Sequence, residues 1–337
     1  MGPTKDGGGP RSGGALQSFQ PVEFHRARRR SSVRLADRLF KLITQLFAVL
    51  IAAIVLFMVI EMALNSKLPF QKFGLAFLRN SRWDPVFEQF GALPFIYGTV
   101  VTSVIALALA VPVSIGIAIF LVEQAPLRLA DPISFVIQLL AAIPSVVYGV
   151  WGIFVLAPTL REHVYPHLQK TLGFLPLFKG NQNGLGLLTA GIILAVMILP
   201  IITAVAADVL RAVPDTQREA ALAVGATKWE TTRVVLQNSW PGIVGAVILG
   251  LGRAFGETMA VTMVIGNRPE ISASLLAPSF TIASAIANEF TEATSDIYLQ
   301  SLIELGLILF LITFVINALA RLLVWRIVKR QGGSANA

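Results

Sequence analysis

Six long apolar runs divide the chain, at 40–64, 94–122, 132–158, 185–210, 241–265 and 299–325. A membrane-crossing helix needs about 20 predominantly apolar residues, and runs of this length with few charges read as spans. Several carry helix breakers: Pro112, Gly116, Pro144, Gly149 and Pro200. Spans tolerate such residues where neighbouring helices satisfy the freed backbone groups. The pattern therefore predicts an all-α membrane protein, a bundle of six transmembrane helices kinked in places. One run breaks its own rule. The stretch LGLGRAFGETMAV (249–261) sets Arg253 and Glu257 four residues apart in apolar surroundings.

Composition agrees with the pattern. The 337 residues are 55% hydrophobic and only 14% charged, too apolar for the surface a soluble protein of this size needs. Cysteine is absent, which excludes a disulfide framework and a thiolate metal site. A net charge of +8 would point to nucleic acid in a soluble chain. In a membrane protein the placement of Lys and Arg matters more, because positive charge favours the cytoplasmic side. With the N-terminus inside, the inner segments carry eight (1–39), one (Arg128), four (211–239) and four (Arg321, Arg326, Lys329, Arg330). The opposite side carries Lys67, Lys72, Arg79, Arg82, Arg161, Lys170, Lys179 and Arg268. Both termini are thus expected in the cytoplasm.

The domain reading follows. Residues 1–39 form a disordered, basic cytoplasmic tail, Gly-, Pro- and Ser-rich at first and then HRARRRSSVR (25–34). That basic cluster reads as a topology determinant beside anionic lipid. Run 40–64 lies too far from the start, and is too long, for a cleaved signal, so it reads as a retained anchor. Residues 65–93 form an external loop, 94–326 the core domain with a cytoplasmic loop at 211–239, and 327–337 a cytoplasmic tail.

The loop 211–239 is the most informative polar segment. Thr216 precedes Glu219 by three residues, and Thr227 precedes Glu230 by three. Each pair fits a capping box at a helix start. Ala220, Ala221, Leu222 and Val224 make a short compact helix that Gly225 stops in the left-handed conformation. A second helix runs from about Lys228 toward Pro241, where the fifth span begins. The small side chains suit close docking into a groove on another protein. An ordinary amphipathic interfacial helix is the alternative. A DNA-reading helix-turn-helix is disfavoured, because both ends are tethered to the bilayer and the second helix offers few side chains for base contacts.

Other constellations carry less. GLGRAFG (250–256) lacks the Gly-Lys-Ser/Thr and the preceding strand of a nucleotide loop. Gly252 and Gly256 read instead as a seam for close helix packing. His25, His163 and His167 form no buried ligand set. Asp208 either pairs with Arg211 or takes part in a subunit contact. Glu304 pairs with Arg268, snorkels or faces the bundle. Arg253 would lie roughly 18 Å along a helix starting at Pro241, at mid-bilayer depth. Such a charge usually faces a bundle interior or a water-filled path. Three readings of Arg253 and Glu257 stay open: a structural ion pair, a transport path or gate, and contact with a partner.

Glu219-Ala220-Ala221, three residues, then Gly225 and Ala226 resembles the EAA loop of ABC importer permeases. That family's usual Ile-x-x-Leu-Pro ending is replaced here by VVLQNSWPGI (234–243), with Gln237 where Pro often stands. More of the chain resembles the C-type permease of phosphate-specific ABC importers: LRAVPDTQREAALAVGAT (210–227), GLGRAFGETMAVTMVIGN (250–267), TIASAIANEFTEA (281–293) and SLIELGLILFLITFVINALAR (301–321). The resemblance spans about 97–330. It implies the type I permease architecture and a non-catalytic subunit in the cytoplasmic (inner) membrane of a bacterium or archaeon. Implied partners are a second homologous permease, two ATP-binding cassette subunits that bind ATP and Mg, an extracytoplasmic phosphate-binding protein and membrane lipid, with no nucleic acid. It also implies no cofactor on this chain, and a docking role for Glu219, Ala220, Ala221, Gly225 and Ala226. For a phosphate path, Arg253 could offer paired donors to the anion, and Glu257 could hold Arg253 while the path is closed. Permeases for other oxyanions such as molybdate or sulfate, or less plausibly an ion-gradient transporter with Glu257 as proton site, are the alternatives.

Overall fold

The computed structural model describes residues 29–180 and 183–333, and the basic tail before Arg29 lies outside them. Among the described residues there is no strand beyond an isolated bridge between Asp84 and Gln89. Two compact units emerge, one up to Met58 and one from Val59 onward.

The first unit is built from α1 (Arg29–Leu64). Its apolar side chains from Leu39 onward are exposed almost throughout, as expected of a helix solvated by lipid. The tail expected to reach residue 39 is corrected here: helix already begins at Arg29. Arg, Leu and Ala are good helix formers, so the helix need not stop where its apolar run does.

The second unit is centred on α3 (Leu93–Ile119) and α8 (Leu187–Arg211). α8 is the most buried of the spans. Small residues let the two approach: Ala106 and Ala110 of α3 are buried with Ile193, Leu194, Ile198 and Ile202 of α8. A Cβ on Gly191 would collide with the Ile105 side chain, at 2.5 Å from its Cγ2. Ser114 of α3 donates to the Leu199 carbonyl (3.1 Å), beside Pro200 within α8. This bond ties α3 to α8 beside a helix breaker; the carbonyl that Pro200 itself leaves without its helical partner is that of Val196. The buried start of α8 is likewise supplied: the N–H groups of Gly186, Leu187 and Leu188 donate to the carbonyls of Val264, Ala277 and Leu275.

The third run is not one helix. α4 (Leu127–Ala142) gives way at Ile143 and Pro144 to α5 (Ser145–Trp151). Together with α6 (Ala157–Thr159), α7 (Tyr165–Leu172) and two π-turns between them, α5 forms a rod over 145–172, bent 90° from α4. The residue before a proline is pushed toward extended backbone, and Ile143 sits at φ −65°, ψ 129°. Length and composition therefore give five spans, or six if the bent pair is one span.

Two further boundaries move. α10 (Lys228–Gly256) runs through Pro241 without a stop, so the second loop helix and the fifth span are one element. α13 (Asp296–Gly333) continues through most of the expected C-terminal tail.

The 65–93 connection is folded. α2 (Lys67–Phe73) and a 3-10 turn at Gly74–Leu78 feed an aromatic cluster over the start of α3. The Trp83 ring stands edge-on to Phe90 (4.9 Å) and Phe95 (4.7 Å), and Tyr298 stacks on Phe90 (5.4 Å). At the end of α12 (Ile282–Glu289), Glu289 accepts from Trp83 Nε1 (2.6 Å) and from the Tyr298 hydroxyl (2.9 Å). Burial raises the Glu289 pKa above its ordinary 4.5; the bonds from Tyr298 and Trp83 oppose this, and the nearby Glu292 charge adds to the rise.

Two expectations follow. Gly191→Ala overpacks the α3–α8 contact and should cost about 1–3 kcal/mol, read as a lowered melting temperature of the purified protein. An unchanged melting temperature would show that this contact is loose. For Glu289 the folded pKa lies above the unfolded one, so its contribution is complete below pH 4.5 and is lost as pH rises through the raised value. The melting temperature of Glu289→Gln relative to the native chain should therefore climb as pH rises from 4.5 toward neutrality. A difference independent of pH would dismiss that linkage.

Candidate functional site

Arg253 and Glu257 do not lie on one continuous helix, which corrects the sequence expectation. α10 ends at Gly256, Glu257 is extended (φ −73°, ψ 123°), and the chain resumes as α11 (Met259–Val264). Gly256 favours the break, since glycine inside a helix costs about 1 kcal/mol relative to alanine. The measurement from Pro241 also falls away, because the helix starts at Lys228. Arg253 instead occupies the last turn, where the helix dipole and unpaired carbonyls favour a cation. The Glu257 carboxylate turns back and accepts from the Ala260 N–H (3.3 Å), satisfying an orphan donor of α11. The Arg253 Nη2 to Glu257 Oε2 distance is 3.8 Å, an ion pair beyond hydrogen-bond length. The partners differ in burial: the Glu257 side chain is 6% exposed and that of Arg253 45%.

The exposed face around Arg253 is open. Leu249, Arg253 and Gly256 fall on one helical stripe, and Met259 beyond the break is also exposed. A Cβ on Gly245, Gly252 or Gly256 would meet nothing within 4 Å. The expected glycine seam therefore packs against nothing among the described residues.

The second candidate region is α9 (Asp215–Ala223) and its surroundings. Glu219, Ala220 and Gly225 are exposed, and Ala221 and Ala226 half-buried. Gly225 takes φ +89°, the left-handed stop expected of it, and Ala226 N–H returns to the Ala221 carbonyl (3.1 Å). Val224 is 86% exposed, with Leu222 and Trp229 exposed beside it. Of the two capping boxes, Thr227–Glu230 forms: the Glu230 N–H donates to Thr227 Oγ1 (3.3 Å) and the Thr227 N–H to Glu230 Oε2 (2.7 Å). Thr216–Glu219 does not, because the helix starts earlier, at Asp215 behind Pro214. Proline just ahead of the first turn presets the entry and moves the start by two residues.

Sequence reasoning missed Arg218. Its guanidinium uses all five donors: Nε and Nη2 to Glu123 Oε1 (3.2 and 2.8 Å), Nη2 to the Leu210 carbonyl (3.0 Å), and Nη1 to the Val213 carbonyl (2.7 Å) and Asp215 Oδ1 (3.1 Å). Glu123 lies in the π-turn that closes α3 (Phe120–Gln124). The pair is largely buried, 19% and 8% exposed, so removing one partner alone would cost about 3–5 kcal/mol. The available signal was a lone acid at the end of the second run, in LVEQAP (121–126), with an arginine directly before Glu219.

The remaining candidates resolve simply. Asp208 pairs with Arg211 at 3.5 Å, both exposed. Glu304 is buried, with Oε2 accepting no hydrogen bond, and Arg268 is not its partner. His163 and His167 are exposed, the ring of His167 meeting the His163 carbonyl. Among the described residues no three His, Cys, Asp or Glu side chains could hold a metal ion.

The asymmetry of the Arg253–Glu257 pair makes a prediction. Glu257→Ala removes a helix-start acceptor and should lower stability by about 1 kcal/mol, whereas Arg253→Ala, on an exposed face, should change it by less than about 0.5 kcal/mol. Equal melting temperatures for the two variants would contradict the capping role of Glu257.

Residues 110–329 match the family model of the binding-protein-dependent transport system inner membrane component. A phosphate transport system permease protein PstC of Mesorhizobium japonicum is 49% identical over 94% of this chain and 99% of its own length. The PstC of Pasteurella multocida is 48% identical over 88% of this chain and 94% of its own. Among solved structures, a chain of the MetNI methionine ABC transporter in an inward-facing conformation aligns with a TM-score of 0.51 at 16% identity, covering 73% of this chain and 99% of that one. That likeness establishes the permease fold. The chain belongs to the binding-protein-dependent transport system inner membrane components, multi-pass permeases of ABC importers, in the branch of the PstC proteins.

Proposed function

We propose that this chain is one permease of an ATP-driven importer that carries inorganic phosphate across the inner membrane. The chain itself is not an enzyme; hydrolysis belongs to a separate ATPase subunit. The full assembly on this reading has a second homologous permease, two ATP-binding cassette subunits, an extracytoplasmic phosphate-binding protein and surrounding lipid. Both termini and the α9 segment face the cytoplasm, in keeping with the bias of Lys and Arg. Phosphate as cargo is supported by relatives at 48–49% identity that carry that name.

The observation that carries the transport mechanism is the interrupted helix at Gly256–Thr258, with Arg253 exposed beside it. Non-helical backbone at membrane depth is tolerated where protein covers it or where it lines a water-filled cavity. Discontinuous helices recur at the ion and substrate sites of transporters. The open stripe of Leu249, Arg253 and Gly256 suits contact with the second permease, which supports a path between the two subunits. Phosphate near neutral pH is a mono- or dianion. A guanidinium presents parallel donors to its oxygens and never loses its charge. The nearby Glu257 carboxylate weakens the hold of Arg253 on an anion, as passage requires binding that is easily reversed.

α9 and Gly225 form the segment that docks on the ATPase. Its exposed Ala220, Leu222 and Val224 offer close approach and apolar surface. Closure of the ATPase pair shifts the permease between two orientations of its opening.

The test is uptake of labelled phosphate by the reconstituted complex. Arsenate, a near isostere, should compete, and sulfate and molybdate should not. Arg253→Gln should cut uptake at least about tenfold, a loss of roughly 1.4 kcal/mol or more in transition-state terms, with assembly intact. Effective competition by sulfate or molybdate would reassign the cargo, and normal uptake by Arg253→Gln would remove that residue from the path. Uptake that persists with a hydrolysis-dead ATPase would instead indicate an ion-gradient transporter.

A further inference from the structure

α9 contains no buried residue. A nine-residue helix, roughly 13 Å long, with no fully buried side chain takes little of its orientation from apolar packing. Side-chain bonds of Gln217 and Arg218 tie it to its neighbours. Gln217 accepts from Asn238 of α10 at 2.7 Å, a single neutral bond between exposed groups. Four of the five Arg218 bonds leave α9: two to Glu123 at the end of α3, one to the Leu210 carbonyl in the last turn of α8 and one to the Val213 carbonyl in the connection after it; the fifth, to Asp215, stays within α9. Charge-assisted bonds are roughly twice as strong as neutral ones, and here they are sheltered from water.

The space beside this pair is empty of side chains. A cavity of 540 Å³ opens between α9, the start of α10 and the end of α3, lined by Glu123, Arg218, Leu222, Lys228, Trp229 and Thr232. The backbone connections 212–214 and 224–227 tether α9 at both ends, the second containing the left-handed Gly225. A tether limits how far a helix travels but does not fix its direction. The Arg218 guanidinium is planar and saturated, so it does. Any displacement of α9 therefore reaches the α3–α8 pair, the packed centre of the bundle, through Glu123 and Arg218.

We propose that Arg218 and Glu123 are the positioning pair that transmits movement of α9 into α3 and α8, and that without the pair α9 docks on the ATPase but no longer drives transport. The proposal rests on the reading of α9 as the ATPase-docking segment. Neither residue touches the cargo.

The experiment uses the full complex in proteoliposomes, with phosphate uptake and ATP hydrolysis measured on the same vesicles. Glu123→Gln and Arg218→Gln should each lower phosphate moved per ATP by about tenfold, while ATPase subunits still co-purify and hydrolysis stays within about twofold of the native complex. The chain has no cysteine, so a Glu123→Cys, Arg218→Cys double variant carries the only two thiols of this subunit. Bridging them with a bifunctional thiol reagent in cysteine-free partner subunits should recover most of the lost ratio. An uptake-to-hydrolysis ratio unchanged in both Gln variants, loss of ATPase co-purification in either, or a bridge that restores nothing would each overturn the proposal. Ala220→Arg reports separately on the docking reading, since it places a long charge on the exposed face of α9. If it displaces the ATPase while the Gln variants keep a native ratio, only the positioning pair is wrong. If the ATPase stays bound and coupled in Ala220→Arg, the docking assignment of α9 fails.

Discussion

Hydrocarbon offers no partner for an open backbone N–H or C=O, and this single constraint accounts for most of the fold. It explains why the described residues are helices and turns rather than strands, and it prices each interruption. Where α4 breaks at Pro144, the chain turns 90° and starts a new helix. Where α8 carries Pro200, a hydroxyl from α3 ties the two helices at the adjacent carbonyl. Where α8 begins inside protein, three carbonyls from the 264–277 segment take its first donors. The break after Gly256 belongs to the same series, but there a carboxylate does part of the work by accepting from the Ala260 N–H. A buried acid that caps a helix also keeps a charge close to Arg253.

The same constraint separates two kinds of charge. Arg218 is saturated and sheltered, its five donors spent on fixed acceptors. Such a group holds elements together and has no capacity left for a ligand. Arg253 is half-exposed, with its nearest carboxylate at 3.8 Å, so its donors remain free to meet an anion. Burial and bond count thus separate two arginines that look alike in sequence.

The apolar runs were legible because span length and hydrophobicity are local properties. So were the Thr227–Glu230 box and the left-handed Gly225, each set by a few adjacent residues. The Thr216–Glu219 box failed for an equally local reason, since Pro214 starts the helix earlier. Less legible were features that depend on distant partners. Glu123 stands out as a lone acid at the end of its run, but no neighbouring residue names a partner 95 positions away. The break between Arg253 and Glu257 was hidden because a four-residue spacing suits one helical face whether or not the helix survives. Trp83 and Glu289, 206 positions apart, meet only once the 65–93 segment folds over α3.

The two candidate regions lie at opposite ends of one element, and that geometry bears on how they communicate. α10 begins at the capping box beside α9 and runs unbroken for 29 residues to the turn that holds Arg253. At 1.5 Å per residue it is roughly 43 Å long, more than the ~30 Å of a hydrocarbon core. Two of its glycines seat side chains of α8, since a Cβ on Gly242 would strike Val209 and one on Gly250 would strike Ile202, while Ile243 and Ala246 are buried in the same core. The glycines form notches that the Val209 and Ile202 side chains enter, so the two helices interlock at close range. A helix seated in this way moves together with α8 rather than along it. On the proposed coupling, a displacement passed by Arg218 and Glu123 into α8 would reach Arg253 through this packing, at the turn where α10 ends.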